Sequence, residues 1–93
     1  MEIIYKKKFI KELEKLPGKV QSGIKDVLDK LYASDNLETS GVDYKLMEGQ
    51  KKGQNYYRIR VGSYRVGIEY IKPDVIVIIV ASRGDVYKVF PPK

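Results

Sequence analysis

From Tyr56 to Tyr70 apolar and polar residues alternate on either side of Gly62-Ser63, in the run Y-Y-R-I-R-V-G-S-Y-R-V-G-I-E-Y. Alternation at period 2 marks strands with one buried face, and two turn-type residues between such runs mark a tight antiparallel hairpin. With Gly62 and Ser63 as the loop, Val61 lies opposite Tyr64, Arg60 opposite Arg65, Ile59 opposite Val66 and Arg58 opposite Gly67. Facing residues share a sheet face, so Tyr57, Ile59, Val61, Tyr64, Val66, Ile68 and Tyr70 form a core surface. The other face carries Arg58, Arg60 and Arg65.

Other periods fill the rest of the chain. Glu2 to Tyr5 is a short β-prone run and is read as an opening strand. Phe9, Leu13 and Leu16 recur at i, i+4, i+7, the pattern of an amphipathic helix that Pro17-Gly18 ends. Val20, Ile24, Val27, Leu28 and Leu31 predict a second helix of roughly four turns, antiparallel to the first across so short a linker. Charges alternate along both helices, as on an ordinary solvated face. Ser34 to Asp43 is polar and aperiodic, a loop. Tyr44 to Met47 admits a short strand, and Gly49 to Asn55 is a basic loop entering the hairpin. After a turn at Lys72-Pro73-Asp74, the run Val75 to Ala81 is apolar throughout, which predicts a strand buried on both faces at the sheet centre.

Pairing across that turn sets Ile71 opposite Val75, Glu69 opposite Val77, Gly67 opposite Ile79 and Arg65 opposite Ala81. One step further brings Arg83 onto the arginine face, and a slip of one residue would remove it. Val75, Val77 and Ile79 then share that face as an apolar strip, open to an acidic amphipathic partner segment or covered by the tail Tyr87 to Lys93. The fold expected is a small α+β domain spanning residues 1–93, in β-α-α-β-β-β order, with a mainly antiparallel sheet and a two-helix hairpin on one face.

Like charges directly opposite on a sheet destabilise it. A bound polyanion would offset the cost at Arg60 and Arg65, and guanidinium forks suit phosphate oxygens. Gly67 opposite Arg58 leaves room for a ligand backbone to approach. The plainer alternative is three arginines splayed into water. Composition narrows the chemistry further. With 18 Lys+Arg against 12 Asp+Glu, the net charge of +6 favours nucleic acid, an acidic protein or an anionic surface. Cysteine and histidine are both absent, which excludes disulfides, thiolate catalysis and zinc-thiolate sites and removes the commonest general base. No cofactor or metal is expected. No signal peptide or 18-residue apolar window is evident, and a cytoplasmic protein without a membrane partner is expected.

The order of elements, the hairpin with its G-x-Y-R and the later S-R-G-D-V-Y-K together resemble the RelE/ParE superfamily of toxins from toxin-antitoxin pairs, across essentially the whole chain. The resemblance to RelE-like members implies a ribosome-dependent endonuclease that cuts mRNA and is neutralised by a cognate antitoxin, with the toxin alone a monomer. By motif it matches Arg58 and Arg60 to the paired basic positions of the first hairpin strand, Arg65 to the arginine of G-x-Y-R, Arg83 to a post-strand arginine and Tyr87 to a terminal tyrosine. Catalytic roles are expected of Arg60, Arg65, Arg83 and Tyr87, and substrate binding of Arg58, with Lys51 and Lys52 on the adjoining loop and Lys45 as further basic residues. Cleavage without metal would use the 2'-hydroxyl as nucleophile. Arg60 and Arg65 would hold the phosphate, Arg83 would lie near the leaving group, and Tyr87 is a candidate base that could instead stack on a nucleobase. Lys51 or Lys52 could substitute as base. The chain departs from the pattern in having arginines where RelE has lysines in the first hairpin strand, and Ser82 where many relatives have histidine. An arginine is a poor base, so the proton acceptor stays open. ParE-like members, which inhibit DNA gyrase, and a non-catalytic RNA-binding module share the same fold.

Overall fold

The computed structural model describes residues 1–92. Strand β1 (Ile3–Tyr5) leads into helices α1 (Lys7–Glu14) and α2 (Gly18–Tyr32). Strands β2 (Tyr44–Leu46), β3 (Tyr56–Val61), β4 (Tyr64–Ile71) and β5 (Asp74–Ser82) follow, and a one-turn helix α3 (Val86–Val89) closes the chain. The sheet order is β1-β5-β4-β3-β2, with β1 parallel to β5 and every other pair antiparallel. The expected order therefore holds, with the short strand admitted at Tyr44 to Met47 present as β2 and with α3 added. Four residues of helix carry too little periodicity to stand out in a sequence.

Pro17 ends α1 and caps the start of α2, its carbonyl accepting the amides of Val20 and Gln21. The Gln21 side chain reaches back and donates to Leu16 O at 2.8 Å, so one residue satisfies the end of one helix while standing in the next. Phe9, Ile24, Leu28 and Leu31 from the helices pack on Ile59, Val66, Ile68, Tyr70, Val75, Val77 and Val80 from the sheet. The loop after α2 is fastened to this core. Leu37 is fully buried and its amide donates to the Tyr70 hydroxyl, which donates in turn to Glu38. A backbone hydrogen bond, helped by Lys72 and Tyr70, holds the Glu38 carboxyl below its ordinary pKa. No helix among the described residues is long and apolar enough to cross a membrane.

The hairpin register is the expected one at every pair from Tyr57↔Ile68 to Val61↔Tyr64. Strand β5 is different. Gly67↔Ile79 and Arg65↔Ala81 pair as expected, but Ile68 pairs with Val77, Glu69 with Ile76 and Ile71 with Asp74. Ile78 is the extra residue of a β-bulge, and beyond it every side chain of β5 changes face. Val75 and Val77 thus lie in the helix-side core, while Ile78 and Ile79 pack on the opposite side. The strip expected from all three residues reduces to Ile79 with its bulge neighbour. A strand apolar at every position carries no alternation with which to set its register. The sheet centre is β4, because β1 continues the sheet beyond β5.

The tail covers what remains of the strip. Val86 and Phe90, one helical turn apart, are buried with Met47 and Ile79, and Phe90 meets Tyr56 edge-on at 5.4 Å. Lys93 lies outside the described residues. Gly67 is where the ring of Phe90 settles: a Cβ there would stand 2.7 Å from Ile79 Cγ2 and 3.0 Å from Phe90 Cδ2. The space above Gly67 belongs to the chain's own tail, not to an approaching ligand. Gly67→Val should therefore lower stability by about 1–3 kcal/mol in urea unfolding and make the peptide bonds around Val86 to Pro91 accessible to limited proteolysis.

Candidate functional site

With the helices on one side and α3 covering part of the other, the open face of the sheet is a cationic surface bordered by the tail. Lys45 on β2 faces Arg58 on β3, which faces Gly67 on β4, and Arg60 faces Arg65 about 7 Å further along the strands. Two like-charged pairs thus stand directly opposite one another.

Arg58 is the least well partnered of these groups. Only 16% of its side chain is exposed, and its Nε and Nη1 are buried without a hydrogen-bond partner. The carboxylate paired with it, Asp43 Oδ1, stands 3.8 Å from Nη1, too far for a hydrogen bond, and Asp43 is itself well exposed. A desolvated guanidinium left short of acceptors is costly. An anion at its remaining exposed edge would offset the charge that the protein leaves unneutralised. That edge gives onto a cavity of about 300 Å³ lined by Lys45, Met47, Glu48, Arg58, Tyr87, Phe90 and Pro91. Its volume is that of about ten water molecules, enough for a phosphate and part of its sugar.

Arg65 is disposed otherwise. It is 8% exposed and its Nη1 donates to the carbonyls of Gly62 and Tyr64, both at 2.9 Å, so its guanidinium braces the hairpin turn. Gly62 there has φ +60°, a conformation glycine adopts without strain. Arg83 leaves β5 beside this turn, its amide donating to Ser63 O at 2.9 Å. Arg60, Arg65 and Arg83 are therefore gathered at the turn end of the face, with Arg60 and Arg83 exposed. Tyr87, 60% exposed, stands beside Phe90 at the rim of the cavity, while Val86 is buried beneath α3.

The structure sorts the eight residues singled out in the sequence into groups. Lys45, Arg58 and Tyr87 line one cavity. Tyr87 also lines a neighbouring one of about 330 Å³ with Lys51 and Lys88. Arg60, Arg65 and Arg83 lie by the turn and line neither cavity, and Lys52 is exposed on the basic loop without lining either. Asp43 and Glu48 are the residues that pattern reading misses. Each falls outside an alternating run: the pairing of β2 with β3 sets Asp43 beside Arg58, and the Gln50 side chain bound to Tyr56 brings Glu48 to the same cavity.

No protein-family model matches the chain. It is 36% identical over 91 residues to Toxin RelE3 of Methanocaldococcus jannaschii, a match spanning 98% of this chain and 100% of that protein. The chain belongs to the RelE toxin family. The toxin in a crystal structure of a RelB-RelE antitoxin-toxin complex from Methanococcus jannaschii superposes on it with a TM-score of 0.76 at 35% identity, covering 95% of this chain and 99% of that one. RelE in the RelE-RelB complex from Pyrococcus horikoshii, at 22% identity and a TM-score of 0.68, shares the fold over 89% of this chain and 94% of that one. The toxin of the E. coli RelBE complex does so at 24% and 0.65, over 87% and 94%. Within this RelE fold the cationic face is assembled from β2, β3 and the tail, not from the hairpin alone.

The contrast between Arg58 and Arg65 can be measured. Replacing a buried, poorly paired charge by an apolar side chain of similar length is neutral or stabilising by up to about 4 kcal/mol, whereas losing two hydrogen bonds to carbonyls costs about 1–3 kcal/mol. Arg58→Met should leave the unfolding midpoint unchanged or raise it. Arg65→Met should lower it.

Proposed function

We propose that this RelE-family protein is a ribosome-dependent mRNA endonuclease that inhibits translation, cleaving by attack of the 2'-hydroxyl on the neighbouring phosphate, and that a cognate antitoxin restrains it. One observation carries the reading. Arg58, desolvated and short of acceptors, shares a phosphate-sized cavity with Lys45 and with the exposed hydroxyl-bearing ring of Tyr87. Cation, hydroxyl and cavity are the parts that phosphodiester transfer needs: charge to meet the phosphorane, and a group able to exchange a proton with it.

The two groups of basic residues divide the work. Lys45 and Arg58 hold the scissile phosphate. Arg60 and Arg83, exposed beside the turn, take neighbouring phosphates of the strand and fix its direction, while Arg65 keeps the turn between them in shape. Lys51 and Lys52 extend the positive surface beyond Tyr87. A site this sparse acts on a substrate oriented elsewhere, and the ribosome supplies that orientation. The antitoxin follows from family membership and from the relatives solved with RelB: an acidic partner fits a chain of net charge +6, and covering the cationic face would block RNA.

The test uses purified ribosomes programmed with a defined mRNA, with the 5' ends of the products mapped. The wild-type protein should produce cuts within the A-site codon. Arg58→Met should reduce the rate by about 100-fold or more. Intact mRNA with undisturbed translation would contradict the proposal.

A further inference from the structure

Transfer to a neighbouring 2'-oxygen requires something to take its proton, and this chain has few groups that can. It lacks histidine and cysteine. A guanidinium has no acceptor, an ammonium none until it loses its proton, and a phenol, ordinarily ionising near pH 10, carries its proton at pH 7. A carboxylate needs no activation to accept one. One carboxylate lines the cavity of Lys45, Arg58 and Tyr87, and it is Glu48.

Glu48 is also held in place. Met47 before it is buried and its amide donates to Tyr56 O at 2.9 Å. Gln50 after it donates from Nε2 to Met47 O at 2.6 Å and to Tyr56 O at 2.9 Å, and its Oε1 accepts the Tyr56 amide at 2.8 Å. Between them the chain turns through Gly49 at φ +77°. A loop whose other half is mostly exposed thus has its first turn clamped to β3, with Glu48 projecting from the clamp. Among the described residues no ion pair or side-chain hydrogen bond occupies its carboxylate. Its backbone is thus fixed on both sides, and its exposed carboxylate lines the same cavity as two cations, Lys45 and Arg58.

We propose that Glu48 is the general base of the cleavage reaction and Tyr87 its acid, an inference that rests on the endonuclease reading above. Glu48 takes the proton of the 2'-hydroxyl as the 2'-oxygen bonds to phosphorus. The bond from phosphorus to the 5'-oxygen breaks, and that oxygen receives the phenolic proton of Tyr87. The products are a 2',3'-cyclic phosphate and a 5'-hydroxyl. Glu48 ends neutral and Tyr87 as phenolate beside Arg58 and Lys45, and water returns each to its starting form. This assigns the base to a position outside the hairpin and leaves Tyr87 the acid.

The two roles separate in single-turnover cleavage of ribosome-bound mRNA at saturating protein, with the scissile 5'-oxygen either intact or replaced by sulfur, a leaving group that needs no proton. Glu48→Gln should slow cleavage by about 100-fold or more on both substrates. Tyr87→Phe should slow the oxygen substrate and approach the wild-type rate on the sulfur one. Both residues are exposed, and binding to ribosomes should be unchanged in each variant. Wild-type rates for Glu48→Gln, with wild-type protein active, would overturn the assignment of Glu48 and leave the endonuclease reading standing. No cleavage by wild-type protein would overturn both.

Discussion

The ring of Phe90 resting above Gly67 is the contact on which the open face of this sheet depends. A sheet covered by helices on one side only must do something with apolar residues on the other, and here the bulge at Ile78 leaves Ile78, Ile79 and Ala81 there. The tail covers them with Val86 and Phe90, spaced so that both fall on one face of a single helical turn. That spacing turns Tyr87 outward. The same ring walls the cavity on which Arg58 opens, so a packing requirement at the tail becomes the boundary of a charged site. Gly67 makes the arrangement possible, since no larger residue leaves room for the ring.

Against this apolar boundary the protein places positive charges that it does not neutralise. Lys45 opposite Arg58, and Arg60 opposite Arg65, are pairings that a sheet selected for stability alone would avoid. One of the four is put to structural use: Arg65 donates from Nη1 to the turn carbonyls, although its Nε is buried without a partner. Arg58 has no such use, and its nearly dry guanidinium is a standing electrostatic demand. Proteins keep uncompensated groups of this kind where a ligand completes them. Under the endonuclease proposal the demand has a chemical sense, because a phosphodiester in the cavity would bring negative charge to it.

Much of this was readable in the sequence, for reasons that also mark where reading stopped. The hairpin alternates strictly between apolar and polar positions, so its register and both of its faces were determined by pattern alone. Strand β5 has no such alternation, and nothing in seven consecutive apolar residues announces a bulge. Uninterrupted pairing therefore puts Val75 and Val77 on the wrong face. Gly67 was recognised as a gap, but a gap does not say what fills it, and the filler, Phe90, is 23 positions away in the chain. The candidate residues Arg58 and Tyr87 were found by motif, and their grouping with Lys45 depended on a three-residue strand. Glu48 carried no signal of its own, since its placement follows from Gln50 clamping Tyr56 across the basic loop.

The central claim is that the cavity beside Arg58 receives a phosphodiester. It is tested most directly by following the side-chain Nε–H signal of Arg58, together with Lys45 and Tyr87, by NMR as a short RNA with 2'-deoxy residues, which binds without being cut, is added. These three side chains should shift together and saturate together, with smaller changes at Arg60 and Arg83. Shifts confined to the helix side of the sheet, or to Arg60 and Arg83 with Arg58 unmoved, would contradict the central claim.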